Sequence, residues 1–187
     1  VLERKIGIPI TLSIVWCAMA RRAGLNARGV AFPGHFLIRV DDMKEAEPAL
    51  PPIIVDAFHG GRIVDDEAAT ALLRRALGEG AALHPTLFAA ASARAVLVRL
   101  LSNLESIWAK RGDHARAFVA VDRIVTLVPD SARMLRERAA LAQRIGANEV
   151  ARADLARVIA LEPQAPDIPH IEAQLATLAM PSNATLH

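Results

Sequence analysis

The stretch GIPITLSIVWCAMARRAGL, residues 7–25, decides how the rest of this chain folds. Between Ile8 and Ala20 its only polar side chains are the hydroxyls of Thr11 and Ser13. Pro9 fits the first turn of a helix, where a missing N–H costs no hydrogen bond, and Gly24 suits the left-handed residue that ends one. A helix that is apolar on every side must be covered by other elements. The sequence therefore predicts a central helix that is buried all round.

The segments that follow change from helical to extended periodicity. Two strands are predicted at residues 27–32 and 35–40, joined by a Pro-Gly turn, and a third at residues 53–58. The acidic, proline-bearing residues 41–52 predict an exposed loop. An amphipathic helix over residues 65–77 begins with three acidic side chains. This order predicts an α+β domain whose small antiparallel sheet packs on the first helix.

An internal repeat occupies the second half of the chain. RIVTLVPD at residues 123–130 returns 34 residues later as RVIALEPQ. Gly112 and Ala117 likewise recur, as Gly146 and Ala151. A 34-residue period with Gly between two helices and Pro after the second is similar to the tetratricopeptide repeat. The predicted helix pairs are 92–111 with 114–127 and 131–145 with 148–161, followed by a capping helix over 169–179. A plain helical bundle is the alternative.

Length and composition limit the domain count and the cellular setting. The chain has 187 residues, 53% of them hydrophobic, and a net charge of +2. We expect a domain at residues 1–82 and a repeat module at residues 89–180. The single cysteine excludes an intrachain disulfide and favours the cytoplasm. No apolar run is long enough to cross a membrane. Because the buried helix starts almost at once, we also expect that an upstream segment is missing.

Three residues form a candidate set of nucleophile, base and orienting acid: Cys17, His35 and Asp56. A histidine at the start of one strand and an aspartate on the next can meet across a sheet, where the carboxylate holds the imidazole tautomer. Thiol hydrolases use this arrangement. The structural alternative is that His35 only hydrogen-bonds Asp56 and joins the two strands.

Several motifs resemble the SirB-type bacterial transglutaminase-like family with tetratricopeptide repeats. The resemblance covers nearly the whole chain, and its pieces are RKIGIPITL at residues 4–12, ARRAGL at 20–25, FPGHFLIR at 32–39 and VDAFHGGR at 55–62. It implies a transglutaminase-like core related to papain-type folds. It also implies a helical segment before the central helix, which supports the expectation of a truncated copy.

The family's catalytic pattern is only partly matched. His35 and Asp56 correspond to its histidine and aspartate, but the position of its cysteine falls near Pro9. Cys17 lies about two helical turns farther along, and free cysteines are commonly buried as small apolar groups. We therefore predict a non-catalytic protein. A thiol-dependent hydrolase or acyltransferase using Cys17 stays open as the alternative, and a hydroxyl nucleophile at Thr11 or Ser13 is less favoured.

No metal or cofactor is predicted. His59, which precedes two glycines, is interpreted as a turn residue. Although His35, Asp56 and His59 could lie near one another, they lack the spaced histidines of a helical zinc motif. The two glycines also lack the longer pattern and the lysine of a phosphate loop.

The repeats suggest a protein-interaction or regulatory scaffold. In tetratricopeptide repeats the first helix of each pair lines the concave face. That face would carry mainly cations here, which suits an acidic peptide or a carboxyl terminus. A solvated face, or one covered by the first domain, is the alternative. Nucleic acid is not expected, because the chain has no tyrosine and only 4% aromatic residues. The predicted binding residues are Arg99, Lys110, Arg133, Arg136 and Arg144, with Ser102 and Gln143 beside them.

Overall fold

The computed structural model describes residues 1, 3, 6–41 and 51–179. Most of the predicted loop at 41–52 lies outside these residues. The described elements are, in order, α1 (Pro9–Arg22), β1 (Asn26–Val30), β2 (Leu37–Asp41), β3 (Ile53–Asp56), β4 (Arg62–Ile63), α2 (Asp66–Leu77), a 3₁₀ turn (Pro85–Phe88), α3 (Ala93–Lys110), α4 (His114–Leu127), α5 (Ala132–Arg144), α6 (Asn148–Leu161) and α7 (Ile168–Ala179). The chain divides into two compact units after Leu100, within α3. The α+β class and the helical array are both as predicted.

Helix α1 is buried on one face only, so the prediction of burial all round is wrong for the described part of the chain. Its exposed residues include Ile14 and Met19, the latter 64% accessible. The reason is geometric, since α1 contacts one side of β1 and β2 and that sheet covers a single stripe of the helix. The buried stripe consists of Ile10, Ser13, Cys17 and Ala20.

The sheet is antiparallel, with strand order β1-β2-β3-β4. Successive residues of β2 point to opposite faces, as strand geometry requires. Ile38 packs in a cluster with Cys17 of α1, whereas Leu37 packs in a cluster with Leu73 of α2. The sheet is therefore covered by a helix on each face. The sequence analysis missed β4, which has only two residues, both exposed.

The second unit contains the predicted repeat. Helices α4, α5 and α6 begin and end within one residue of the predicted bounds. Ala117 and Ala151, which are 34 residues apart, are both fully buried, and their small side chains allow neighbouring helices to approach closely. Gly112 and Gly146 have φ values of +72° and +77°, as expected for residues that end a helix in the left-handed region.

Candidate functional site

A turn before β2 positions His35 beside Asp56. Gly34 in this turn has a φ of +68°, and a Cβ there would lie 2.6 Å from the Ala76 Cβ, so only glycine fits. The His35 Nε2–H donates to Asp56 Oδ1 across 3.0 Å. Only 9% of the surface of His35 and none of that of Asp56 is accessible. The sequence-predicted pair therefore meets at the end of β3.

Asp56 accepts four hydrogen bonds from residues that the structure describes. Its Oδ1 also accepts from the backbone N–H groups of Phe58 and His59, at 3.0 and 3.2 Å. Its Oδ2 accepts from His59 Nδ1–H at 2.6 Å and lies 3.6 Å from an Arg62 guanidinium nitrogen. Burial by itself raises the pKa of Asp56, but the hydrogen bonds from His35 and His59 outweigh it and hold the pKa below its usual range. Asp56 is therefore a buried, ionised carboxylate.

His59 is a second imidazole on the same carboxylate, and the sequence analysis did not give it that role. It lies in the turn after β3, as expected, and about half of its side chain is exposed. The centroids of the His35 and His59 rings are 5.7 Å apart. The sequence does contain a signal for this contact. His59 follows Asp56 by three residues in a turn that ends in two glycines, and such a turn folds the later side chain back toward the earlier one.

The cluster opens into a cleft of about 460 Å³ in the first unit. Pro9, at the position to which the family resemblance assigns the nucleophile, lies in the wall of this cleft. Of the described residues that line it, none carries a thiol or a hydroxyl. The lining residues are Pro9, Gly34, His35, Phe58, His59, Leu72, Arg75 and Ala76.

Cys17 lies elsewhere in this unit. It is 3% accessible and packs with Ala20, Ala27, Ile38 and Val55 in the core between α1 and the sheet. Burial raises the pKa of its thiol, and the Arg21 charge opposes that shift only in part. Cys17 borders a different cavity, of about 420 Å³, which His35 does not line.

The two hydroxyls of α1 have structural partners. Thr11 Oγ1 donates to the Ile8 carbonyl and accepts from the Ile8 N–H, at 3.0 Å each. Ser13 is fully buried, and its hydroxyl donates to the Phe36 carbonyl at 3.4 Å. Both contacts stabilise the start of α1 and its packing on the sheet.

The predicted cationic residues of the repeats are not equivalent. Arg136 binds Asp167 through two nitrogens and Glu162 through a third, all within 3.0 Å. These bonds join α5 to the residues around the start of α7. Arg144 lies at the end of α5 and lines a cleft of about 580 Å³ in the second unit.

The other predicted cations do not line this cleft. Lys110 and Arg133 are exposed on α3 and α5. Arg99 is partly buried and belongs to the first unit. The cleft instead contains polar residues of α5 and α7 that the sequence analysis did not name together. Its lining residues are Arg136, Ala140, Gln143, Arg144, Leu155, Asp167, His170, Ile171 and Gln174.

The sequence analysis also did not predict an ion-pair network in the repeats. Arg138 donates two hydrogen bonds to the buried Asp154, both 2.7 Å long, and one of 2.6 Å to Asp122. It thereby connects α4, α5 and α6. The pKa of Arg138 is raised, mainly by its hydrogen bond to Asp154. Asp122 is half exposed, so the network extends from the buried Asp154 to the surface and joins the repeat helices.

No helix among the described residues combines the length and the apolar character that crossing a membrane requires.

Comparison with protein families finds two matches along the chain. A model described as the transglutaminase-like superfamily matches residues 1–102. A tetratricopeptide repeat model matches residues 104–176. The resemblance inferred from the motifs is confirmed by both matches.

Similar proteins occur in bacteria and in mammals. A UPF0162 protein of Xylella fastidiosa is 36% identical over 96% of this chain, and one of Pseudomonas aeruginosa is 30% identical over its full length. The chain spans 63% of the Xylella protein and 66% of the Pseudomonas protein. The mouse F-box only protein 21 is 28% identical over 78% of this chain, which covers 23% of that protein.

Proposed function

We propose, from the premise that this chain belongs to the transglutaminase-like superfamily and continues into tetratricopeptide repeats, that it is a non-catalytic scaffold that binds a partner protein. The binding surface is the cleft between α5 and α7, and the partner segment is an acidic peptide or a carboxyl terminus. The observation that carries the proposal is Arg144, a cation in that cleft that forms no ion pair with any described residue.

The charges around the cleft favour an anionic ligand. Asp167 is the acidic residue of the lining, and both of its oxygens are already bound to Arg136. Arg144 therefore supplies the remaining positive charge. Amide groups of Gln143 and Gln174 lie in the same wall and can donate hydrogen bonds. A guanidinium with neighbouring amide donors is suited to hold a carboxylate by charge-assisted hydrogen bonds.

The floor of the cleft is apolar. Ala140, Leu155 and Ile171 line it, and Leu155 and Ile171 are almost fully buried. An apolar side chain next to the bound carboxylate would pack on this floor. The combination of an anion site with an apolar pocket is typical of peptide recognition rather than of binding to a free inorganic anion.

The proposal that the first unit is non-catalytic is supported by the placement of its thiol. The His35–Asp56 hydrogen bond favours the thiol-hydrolase alternative, because that pair could activate a nucleophile. However, Cys17 belongs to the core and borders another cavity, and Pro9 stands at the position expected for the nucleophile, in the wall of the cleft. Acyl chemistry through Cys17 would require α1 to leave its packing on the sheet.

The experiment is a peptide-binding measurement on the whole chain. Fluorescently labelled acidic peptides with a free carboxyl terminus are compared with the same peptides carrying a terminal amide, by fluorescence anisotropy. We expect the free acids to bind more tightly. Arg144→Glu should weaken their binding by about 10- to 100-fold, since a charge-assisted hydrogen bond contributes about 1.5–3 kcal/mol.

A matched control is available in the same unit. Arg123 is an exposed arginine of α4 and does not line the cleft, so Arg123→Glu changes net charge equally and should leave affinity unchanged. Equal losses in both variants would mean that only long-range charge matters. No binding by any acidic peptide would contradict the proposal. Arg136 is unsuitable for this test, because its reversal would break the bonds that hold α7.

A further inference from the structure

We propose that His35, Asp56 and His59 form a binding site for a divalent transition metal ion of the zinc class. The site lies in the first unit and does not depend on the peptide-binding role of the repeats. Each of the three residues offers one ligand atom, and these atoms lie within 4.8 Å of one another. Two imidazoles and one carboxylate are ligands that zinc and its neighbours in the periodic table accept.

The cluster must open for an ion to enter. His35 Nε2 and His59 Nδ1 lie 3.0 and 2.6 Å from the two oxygens of Asp56. In a tetrahedral site with metal–ligand bonds near 2.0–2.2 Å, neighbouring ligand atoms are about 3.3 Å apart. The contact between His59 Nδ1 and Asp56 Oδ2 must therefore lengthen by roughly 0.7 Å, and His35 Nε2, which now bonds Oδ1, must turn toward the ion. Each neutral imidazole then carries its proton on its other ring nitrogen, so no net proton is lost.

Asp56 is already oriented for coordination. Two backbone N–H groups hold its Oδ1, which leaves Oδ2 as the oxygen with freedom to bind an ion. In metalloproteins such hydrogen bonds around the ligands fix their direction and increase affinity. His35 is held by the rigid turn before β2 and His59 by the turn after β3. The three ligands therefore lie on two turns with a defined backbone, and only their side chains need to move.

The position of His59 gives the ion access. This side chain is about half exposed, and the cluster opens into the cleft that contains Phe58 and Leu72. A fourth ligand, water or a bound small molecule, could approach from the cleft. Three protein ligands with an open position are characteristic of catalytic rather than structural zinc sites.

Two arginines near the site would repel a bound cation, so replacing one of them tests whether a cation binds there. The Arg62 guanidinium lies 3.6 Å from Asp56 Oδ2 and is half exposed, so it must swing into solvent when the ion binds. Arg75 also lines the cleft. Removal of the Arg62 charge should therefore tighten metal binding, whereas in a purely hydrogen-bonded cluster it would only weaken the fold.

The experiment uses the untagged 187-residue chain, titrated with Co²⁺ by visible absorption and with Zn²⁺ by calorimetry. We expect one equivalent to bind, with the intense d–d absorption of a four-coordinate ion. His59→Gln, which keeps an amide donor toward Asp56 but removes the imidazole, should weaken binding at least tenfold, an effect on the order of that seen when metal-site contacts are lost. Arg62→Gln should strengthen binding.

Controls keep the result decisive. His84→Asn removes an exposed histidine at the start of the 3₁₀ turn, outside the cluster, and should bind cobalt like the unchanged protein. Far-UV circular dichroism identifies any variant that fails to fold. We expect His59→Gln to keep its fold, because it alters a half-exposed turn residue. Absence of saturable binding, or equal binding by the unchanged protein and folded His59→Gln, would overturn the proposal.

Discussion

At the scale of single residues, Asp56 is the polar centre of the first unit. It is fully buried, yet it remains ionised because two imidazole N–H groups and two backbone N–H groups surround it. A buried carboxylate is stable only when its hydrogen-bonding capacity is satisfied. The same bonds place His35 and His59 side by side, so the stability of this corner and its chemistry depend on one side chain.

Asp56→Asn tests that dependence. The asparagine amide keeps the shape of the carboxylate but removes its charge. Its NH₂ group would also face an imidazole N–H, so that two donors meet. We therefore expect the free energy of unfolding at pH 7 to fall by roughly 2–3 kcal/mol. Urea denaturation of both proteins measures it. Arg123→Gln, a neutralisation at an exposed site, is the control and should change stability by less than about 0.5 kcal/mol.

The stability difference between the unchanged protein and Asp56→Asn should depend on pH. The pKa of Asp56 is lower in the folded state than its unfolded value, so its contribution is complete above the unfolded pKa of about 3.9 and is lost as the pH falls through the folded pKa. The difference in the free energy of unfolding between the unchanged protein and Asp56→Asn should narrow below about pH 4. A difference of the same size at pH 3 and pH 7 would contradict this account.

At the scale of elements, the two repeats differ at one helix start. Asp113 precedes α4, and its carboxylate accepts from the Arg116 N–H at 3.0 Å. Ala147, which is 34 residues later, precedes α6 with a similar backbone but has no side chain that can cap the helix. Ala147 is thus a helix start without a side-chain cap, and Asp113 shows how the equivalent helix start in the other repeat is capped.

Ala147→Asp should therefore stabilise the chain by about 0.5–1 kcal/mol, because a carboxylate at this position can accept from N–H groups in the first turn of α6 and interacts favourably with the positive end of that helix. Asp113→Ala is the matched variant and should lose a similar amount. Thermal and urea unfolding report both effects. If Asp113→Ala destabilises while Ala147→Asp changes nothing, then the two helix starts are not equivalent.

At the scale of the whole molecule, the unfolding of each compact unit can be followed by a different measurement. Cys17, the only thiol, lies in the core of the first unit. Arg138 and its two aspartates lie within the helices of the second. Thiol labelling therefore follows the opening of one unit, whereas circular dichroism is dominated by the helices of the repeats.

Arg138→Ala should lower the stability of the second unit by about 3–5 kcal/mol, since it leaves the buried Asp154 without its cation. We expect the loss of helical signal to shift to clearly lower urea concentration, while the urea concentration at which Cys17 becomes labelled shifts less. Asp122→Asn, which removes only the more exposed partner, should have a smaller effect. Equal shifts of both signals in Arg138→Ala would show that the chain unfolds as one cooperative unit.

Local signals in the sequence determined the elements and their order. The positions of Pro9 and Gly24 limit α1, the two-residue alternation marks β2, and the 34-residue period sets the repeat helices. These features depend on backbone geometry and on neighbours close in the chain, which a sequence displays directly. The His35–Asp56 pairing was also predictable, because neighbouring strands of a hairpin-built sheet bring such positions together.

Tertiary structure alone decided which side chains meet around those elements. It placed Cys17 in the core away from His35, added His59 to Asp56, and paired Arg136 with Asp167 while leaving Arg144 in the cleft. It also left part of α1 exposed, where composition had predicted burial all round. The physical reason is that a residue type specifies what a side chain can bind, whereas the partner it finds depends on how separate elements pack in space.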